Sequence, residues 1–173
     1  MPGFEIVPYD DIPALEEKLK NPNVAAFMVE PIQGEAGVRV PSDGYLRKVR
    51  ELCTKYNVLW ISDEVQTGLG RTGRRARFDL RRKPTGLPYC LAALEILENE
   101  HLAERAEAMG KIFRESMATL PKNVVACVRG KGLLNAIVIN EKYDCMEISL
   151  KLRDHGLLAK PTRETIIASP HRL

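Results

Sequence analysis

The run from Leu59 to Gly68 (LWISDEVQTG) is apolar at its start and then turns abruptly acidic at Asp63 and Glu64. An apolar strand ending in a carboxylate puts that group where open α/β sheets build ligand sites, at the carboxyl ends of their strands. A carboxylate there can accept a hydrogen bond from a protonated heterocyclic nitrogen and hold that nitrogen cationic. Gln66, three residues on, can reach an oxygen on the same ring. A plainer role competes: Asp63 caps a helix or pairs with a loop arginine, Arg71 being a candidate. The residues alone leave both open.

The elements that would position these groups come first along the chain. Asp11 is suited to cap a short helix with Pro13 in its first turn and Leu15 and Leu19 on one face. Val24 to Val29 is continuously apolar, the pattern of a strand covered on both faces, and stops at Glu30 and Pro31. A loop follows from Gly34 to Gly37. Ser42 or Asp43 is then expected to cap a helix whose apolar stripe is Leu46, Val49, Leu52 and Cys53. Val58 to Ser62 is expected as a second buried strand. Strand, helix, strand makes a βαβ unit with parallel strands, so Glu30 and Asp63 should emerge on one edge of the sheet.

The second half has an α+β grain. Leu91, Leu94 and Leu97 mark one helix, and Leu102, Ala106, Met109 and Phe113 the face of a longer one. Val124 to Val128 and Leu133 to Ile139 are expected as strands around Arg129-Gly130-Lys131-Gly132. Cys145, Ile148 and Leu152 mark a last helix, with Gly156 placed for a left-handed cap. Residues 74–89 combine clustered arginines with Pro84, Gly86 and Pro88 and show no sustained period. The expected organisation is therefore a partial large domain over 1–73, an irregular basic junction over 74–89, and helices with a partial small domain over 90–173. Residues 168–173 are expected to stop without completing an element.

Composition excludes several other chemistries. Hydrophobic residues at 45% and charged residues at 28% are ordinary for a globular chain of 173 residues. The net charge of +3 is local in origin. Without the run from Arg71 to Lys83, 19 basic residues face 22 acidic ones. That run has few aromatics and no nucleic-acid motif, so no nucleic-acid partner is expected. No apolar run approaches the roughly 20 residues needed to cross a bilayer. Cys53, Cys90, Cys127 and Cys145 are scattered, as are the 3 histidines; neither a metal site nor a disulfide framework is expected. The N-terminal MPGFE resembles no secretory or transit peptide, which on its own points to the cytoplasm.

Four stretches carry a family resemblance: VAAFMVEPIQGEAGV from Val24, ISDEVQTGLGRTG from Ile61, VRGKGLLNAIVI from Val128 and LRDHGLLAKPT from Leu152. They resemble the ornithine aminotransferases, subgroup III of the fold-type I pyridoxal phosphate aminotransferases. The resemblance implies an α/β fold, incomplete here: part of the large parallel-sheet domain followed by part of the α+β C-terminal domain. It implies pyridoxal phosphate as cofactor, with Asp63 the partner of its pyridinium nitrogen and Gln66 close to its phenolic oxygen. Glu35 matches the substrate-pocket glutamate that pairs with an arginine and switches between diamine and dicarboxylate substrates. Glu30 and Arg71 match supporting positions, with structural roles as their plainer readings. The implied substrates are ornithine and 2-oxoglutarate, giving glutamate semialdehyde and glutamate. The implied compartment is the mitochondrial matrix, and the implied assembly is a dimer.

The departures from the family pattern are as informative. Its Schiff-base lysine has no counterpart: Lys83 precedes a proline, Lys111 falls in a helix pattern, and Lys131 belongs to a different motif. The phosphate-contacting segment and the glycine-rich N-terminal region are also missing, and Ala168 stands where the family has a carboxylate-binding arginine. No catalytic residue can therefore be assigned, cofactor binding by this chain is in doubt, and the chain alone is expected to be inactive. The alternative is a truncated remnant that misfolds or forms a homo- or heterodimer with a full-length family member.

Overall fold

The computed structural model describes residues 3–73, 87–162 and 165–168. Eleven elements follow one another among them: α1 (Ile12–Leu19), β1 (Ala26–Val29), α2 (Tyr45–Lys55), β2 (Leu59–Ser62), α3 (Leu87–Asn99), α4 (Leu102–Ala118), β3 (Val125–Lys131), β4 (Leu134–Ile139), α5 (Cys145–Asp154), β5 (Lys160–Pro161) and β6 (Thr165–Ala168). They form two compact units. One holds the described residues to Pro31 together with Pro41–Asp63, and the other holds Ile32–Val40 and the described residues from Glu64 onward.

In the first unit β1 and β2 pair in parallel, Ala26 opposite Leu59 and Val29 opposite Ser62, with α2 as the crossover. Asp11 caps α1 as its sequence suggests, accepting from the Ala14 amide at 2.9 Å. The cap of α2 differs from expectation. Gly44, at φ 88°, occupies the position, and no side chain caps the helix. Ser42 is drawn elsewhere, donating from its amide and hydroxyl to the Asp10 carboxylate at 2.8 Å each. Leu15, Leu19, Val29, Tyr45, Val49, Cys53 and Val58 form the core, with Phe27 and Trp60 packed against it.

The expectation of strands buried on both faces is corrected. Alternation along paired strands puts Phe27, Val29 and Trp60 toward the helices and Ala26, Met28, Leu59 and Ile61 on the other side. That second face is open, with Met28 61%, Leu59 70% and Ile61 45% exposed. Continuous apolar sequence therefore signals a strand built for cover on both sides, whereas α1 and α2 cover only one.

In the second unit, β3, β4, β6 and β5 lie side by side in that order, all antiparallel. β6 sits between β4 and β5 with Ile166 opposite Ile137 and ends at Ala168; the rest of the stretch expected to complete no element, 169–173, lies outside the described residues. Val125, Ile137, Ile139, Cys145 and Ile166 form one core and Ile32, Val38, Leu134 and Ala136 another. The buried stripe of α4 is Ala103, Ala106 and Gly110, and Met109, expected on that face, is exposed. Small residues there allow the helix to approach the strands closely. Gly156 adopts φ 86° after α5, and the Leu157 amide returns to the Leu152 carbonyl at 2.9 Å, closing the helix as expected. Residues 74–86, most of the expected basic junction, lie outside the described residues, while 87–89 open α3.

Among the described residues no helix is long and apolar enough to cross a membrane, and no cluster of ligating side chains could hold a metal ion. Cys53, Cys127 and Cys145 are not joined in disulfides.

The first unit carries a pH dependence at its alkaline end. The Tyr9 phenol packs edge-on against Tyr45 at 5.6 Å between centroids and donates to the Pro31 carbonyl at 3.0 Å. Burial, reinforced by Tyr45, Asp10 and Glu30, raises its pKa well above the ordinary 10.0. A phenol whose folded pKa exceeds its unfolded value contributes stability that is present below the unfolded pKa and lost as pH climbs above it. Denaturation midpoints should therefore fall as pH rises above about 10. Tyr9→Phe should flatten that fall, measured by circular dichroism in urea between pH 8 and 11.

Candidate functional site

The parallel register of β1 and β2 decides where the first pair of carboxylates sits. The two strands end level, and the amide of Asp63 continues the ladder by donating to the Val29 carbonyl at 3.0 Å. Glu30 follows Val29 directly, so Glu30 and Asp63 leave the sheet side by side at its carboxyl edge, both half-buried. Tyr9 secures the exit of β1 through its hydrogen bond to Pro31, with a longer approach of 3.4 Å to the Glu30 carbonyl. The expectation that the βαβ unit delivers both acids to one edge thus describes this unit. What it makes available is a carboxylate at a strand end, suited to a cationic ring nitrogen.

The second unit assembles a different pair. Residues 32–40 form a narrow loop closed by the Gln33–Arg39 bridge, with backbone bonds of 3.1 and 2.9 Å. Val38 anchors it, fully buried against Ile32, Leu134 and Ala136. Arg129 holds the loop from β3, its Nε donating to the Gly37 carbonyl at 2.7 Å. Gly34 is buried, and the side-chain amide of Gln66 lies across it. A Cβ at Gly34 would come within 2.6 Å of Gln66 Cδ. Only a residue without a side chain leaves room for that amide.

Glu35, next in the loop, is clasped by Lys160 of β5, whose ammonium donates at 2.7 Å to Oε1 and 2.6 Å to Oε2. Both side chains are largely exposed, 60% for Lys160 and 64% for Glu35. Arg71 enters through its main chain: its carbonyl accepts from the Leu133 amide at 2.8 Å. The structure therefore brings Glu30 to Asp63 in one unit and Gln66 to the Glu35 loop in the other, with Arg71 tied to the start of β4. Lys160 is the residue that sequence reasoning missed. It lies 125 residues from Glu35, and nothing in the local pattern of either stretch announces the pairing. Beside Gln66, the hydroxyl of Thr67 is buried without a hydrogen-bond partner, a donor the loop itself does not use.

Comparison with known proteins gives consistent results. The family profile described as Aminotransferase class-III matches residues 6–76 and 84–171. The mitochondrial ornithine aminotransferase of Drosophila melanogaster is 52% identical over 210 residues, covering 96% of this chain and 49% of that protein. Since 96% of 173 residues is about 166, about 44 positions of that 210-residue span have no counterpart here. Among solved structures, ornithine delta-aminotransferase from Plasmodium falciparum superposes with a TM-score of 0.88 at 36% identity, over 98% of this chain and 56% of that one. Acetylornithine aminotransferase from Elizabethkingia anophelis does so with a TM-score of 0.86 at 38% identity, over 98% and 55%. The chain spans about half the length of the relatives it matches.

The two anchors of the 32–40 loop should differ sharply in weight. An exposed ion pair contributes about 0–1 kcal/mol, so Lys160→Met should leave the unfolding free energy within about 1 kcal/mol of the parent. Val38→Ala, which removes buried apolar surface, should cost about 2 kcal/mol. Urea denaturation of the two variants makes the comparison; equal losses would mean the ion pair carries more than its exposure allows.

Proposed function

The chain belongs to the class-III aminotransferase family, and on that premise we propose that it is a partial ornithine aminotransferase that keeps part of the cofactor-recognition apparatus and lacks the catalytic amine. Residues 1–73 would then be part of the large cofactor-binding domain, 74–89 a junction, and 90–173 helices with part of the small domain. The family reaction would be the transfer of the δ-amino group of ornithine to 2-oxoglutarate, and the compartment the mitochondrial matrix; the name of the Drosophila relative, a mitochondrial enzyme, supports the organelle.

Pyridoxal phosphate, when bound, supplies an electron sink for chemistry at an amino acid's reacting carbon. The donor set of this chain fits recognition of its ring: Asp63 offers a carboxylate for a protonated ring nitrogen, and Gln66 an amide for the ring oxygen. Glu35 would face the substrate's amino group once released from Lys160. Covalent attachment is not expected, because no lysine of this sequence stands in the family's Schiff-base context. Lys18, Lys20, Lys55, Lys111, Lys151 and Lys160 are each engaged by a glutamate, at 2.6 to 3.9 Å. Four of the six stand on helices, and Lys20 caps the end of α1. An amine that must act as nucleophile and then move a proton cannot be replaced by general polarity.

The observation that carries the reading is the shortfall of about 44 positions within an otherwise continuous match of 210 residues. The family profile is interrupted between residues 76 and 84, which supports reading the shortfall as one missing segment there, and a segment of that size has room for both the lysine and the phosphate contacts. Purified chain incubated with pyridoxal phosphate and reduced with borohydride should yield no stoichiometric pyridoxyl group at any single lysine by mass spectrometry. Ornithine transamination should stay at background. One fully modified lysine together with turnover would reverse the assignment.

A second reading, association with a full-length family member, is favoured by the open apolar face of β1 and β2. Parallel sheets are stable when both faces are covered, and Met28, Leu59 and Ile61 carry no charge to deter a partner. Co-expression with a full-length ornithine aminotransferase should give co-purification that Leu59→Lys abolishes. Recovery of the chain alone would discard this reading.

A further inference from the structure

The most densely bonded cluster away from Asp63 centres on Gly132, in the turn between β3 and β4. Both of its backbone polar groups are taken by side chains. Its amide donates to Glu107 Oε2 of α4 at 3.2 Å. Its carbonyl accepts from Arg114 Nη1 at 3.2 Å and from Asn135 Nδ2 at 3.0 Å. Arg114 closes the ring, donating to Glu107 Oε1 at 3.1 Å and to Asn135 Oδ1 at 3.0 Å. Asn135 is completely buried and Gly132 is buried as well. The turn cannot carry a side chain here, because a Cβ at Gly132 would lie 2.7 Å from Thr72 Cα.

The turn in turn grips the segment that carries Gln66. Leu133 donates its amide to the Arg71 carbonyl at 2.8 Å. Thr72, packed on Gly132, donates its hydroxyl to the Thr67 carbonyl at 3.2 Å. Glu107 also abuts the far end of the segment directly, since a Cβ at Gly73 would meet Glu107 Cβ at 2.8 Å. Contacts thus run unbroken from α4 through the turn to residues 71–73, then to Thr67 and its neighbour Gln66.

We propose that Glu107 is a positioning residue: by accepting from the Gly132 amide it sets the placement of residues 66–73, and through them the amide of Gln66. Its partial exposure argues for this role over a simple ion pair. At 44% exposure for Glu107 and 21% for Arg114, the charge attraction is well screened. What the carboxylate uniquely supplies is an acceptor for a buried amide, and leaving such a donor unsatisfied is costly. The inference rests on the proposed role of Gln66, but the placement of its segment can be read without any cofactor.

Hydrogen exchange of the full 173-residue chain, followed by mass spectrometry, makes the test with three variants. Glu107→Gln keeps an acceptor oxygen at the same reach, and should leave exchange in residues 67–73 within about threefold of the parent. Glu107→Ala should speed it roughly tenfold, with little change in the β4–β6 ladder around Ile137 and Ile166. Glu107→Asp keeps the charge but falls one methylene short, and should behave like the alanine variant, so the question is answered even if Glu107→Ala does not fold. Exchange in 67–73 that is unchanged in the aspartate variant, equal in the glutamine and alanine variants, or raised evenly across β3, β4 and β6 would overturn the proposal. Because no cofactor is present, a negative result would indict the positioning role alone, whereas a pyridoxyl adduct in the separate borohydride experiment would indict the functional assignment.

Discussion

The backbone hydrogen bond from Asp63 to Val29 is the constraint on which the rest of the first unit turns. It extends the parallel ladder one residue beyond the strands, so the chain leaves both at the same level and two carboxylates emerge together. A slip of one residue would reverse the face each side chain points to, turning Trp60 from the core toward solvent and displacing Asp63 from the edge. The helices enforce the register. Val29 and Val58 belong to the same core as Val49 and Cys53 of α2 and Leu15 and Leu19 of α1. Packing on one face therefore fixes the chemistry available at one end.

The second unit solves its positioning problem with glycines and buried amides. Gly110 of α4 sits so close to the β3–β4 turn that a Cβ there would meet the Gly132 carbonyl carbon at 2.5 Å. Close approach of helix to turn is what lets Glu107 and Arg114 reach the Gly132 main chain. Gly34 does the same for the Gln66 amide. In both places the missing side chain creates the room for a polar contact, and the apolar residues Val38, Leu134 and Ala136 supply the adhesion. Exposed charge pairs such as Glu35 with Lys160 add direction and little stability.

The open face of β1 and β2 connects structure to function. The apolar residues that cover nothing here, Met28, Leu59 and Ile61, are those expected of a sheet with further strands and a second covering layer. A chain spanning about half of its relatives' length retains that signature in full, because strand sequences are shaped by the layers that surround them.

Local sequence determined much of this molecule. Asp11 as cap, the βαβ unit, the two strands before and after Gly132 and the closure at Gly156 were all legible, since each depends on residues within a few positions of one another, although β3 runs on through Arg129 to Lys131, which were expected to connect the strands. The family motifs around Asp63 and Gln66 were legible for the same reason. Tertiary structure alone decided that one strand face stands open, that Ser42 serves Asp10 instead of the helix, and that Ile166 enters the sheet beside Ile137. It alone put Lys160 on Glu35 and Glu107 on Gly132. Such contacts join residues 25 to 125 positions apart; they follow from how packed elements meet, which no local periodicity encodes.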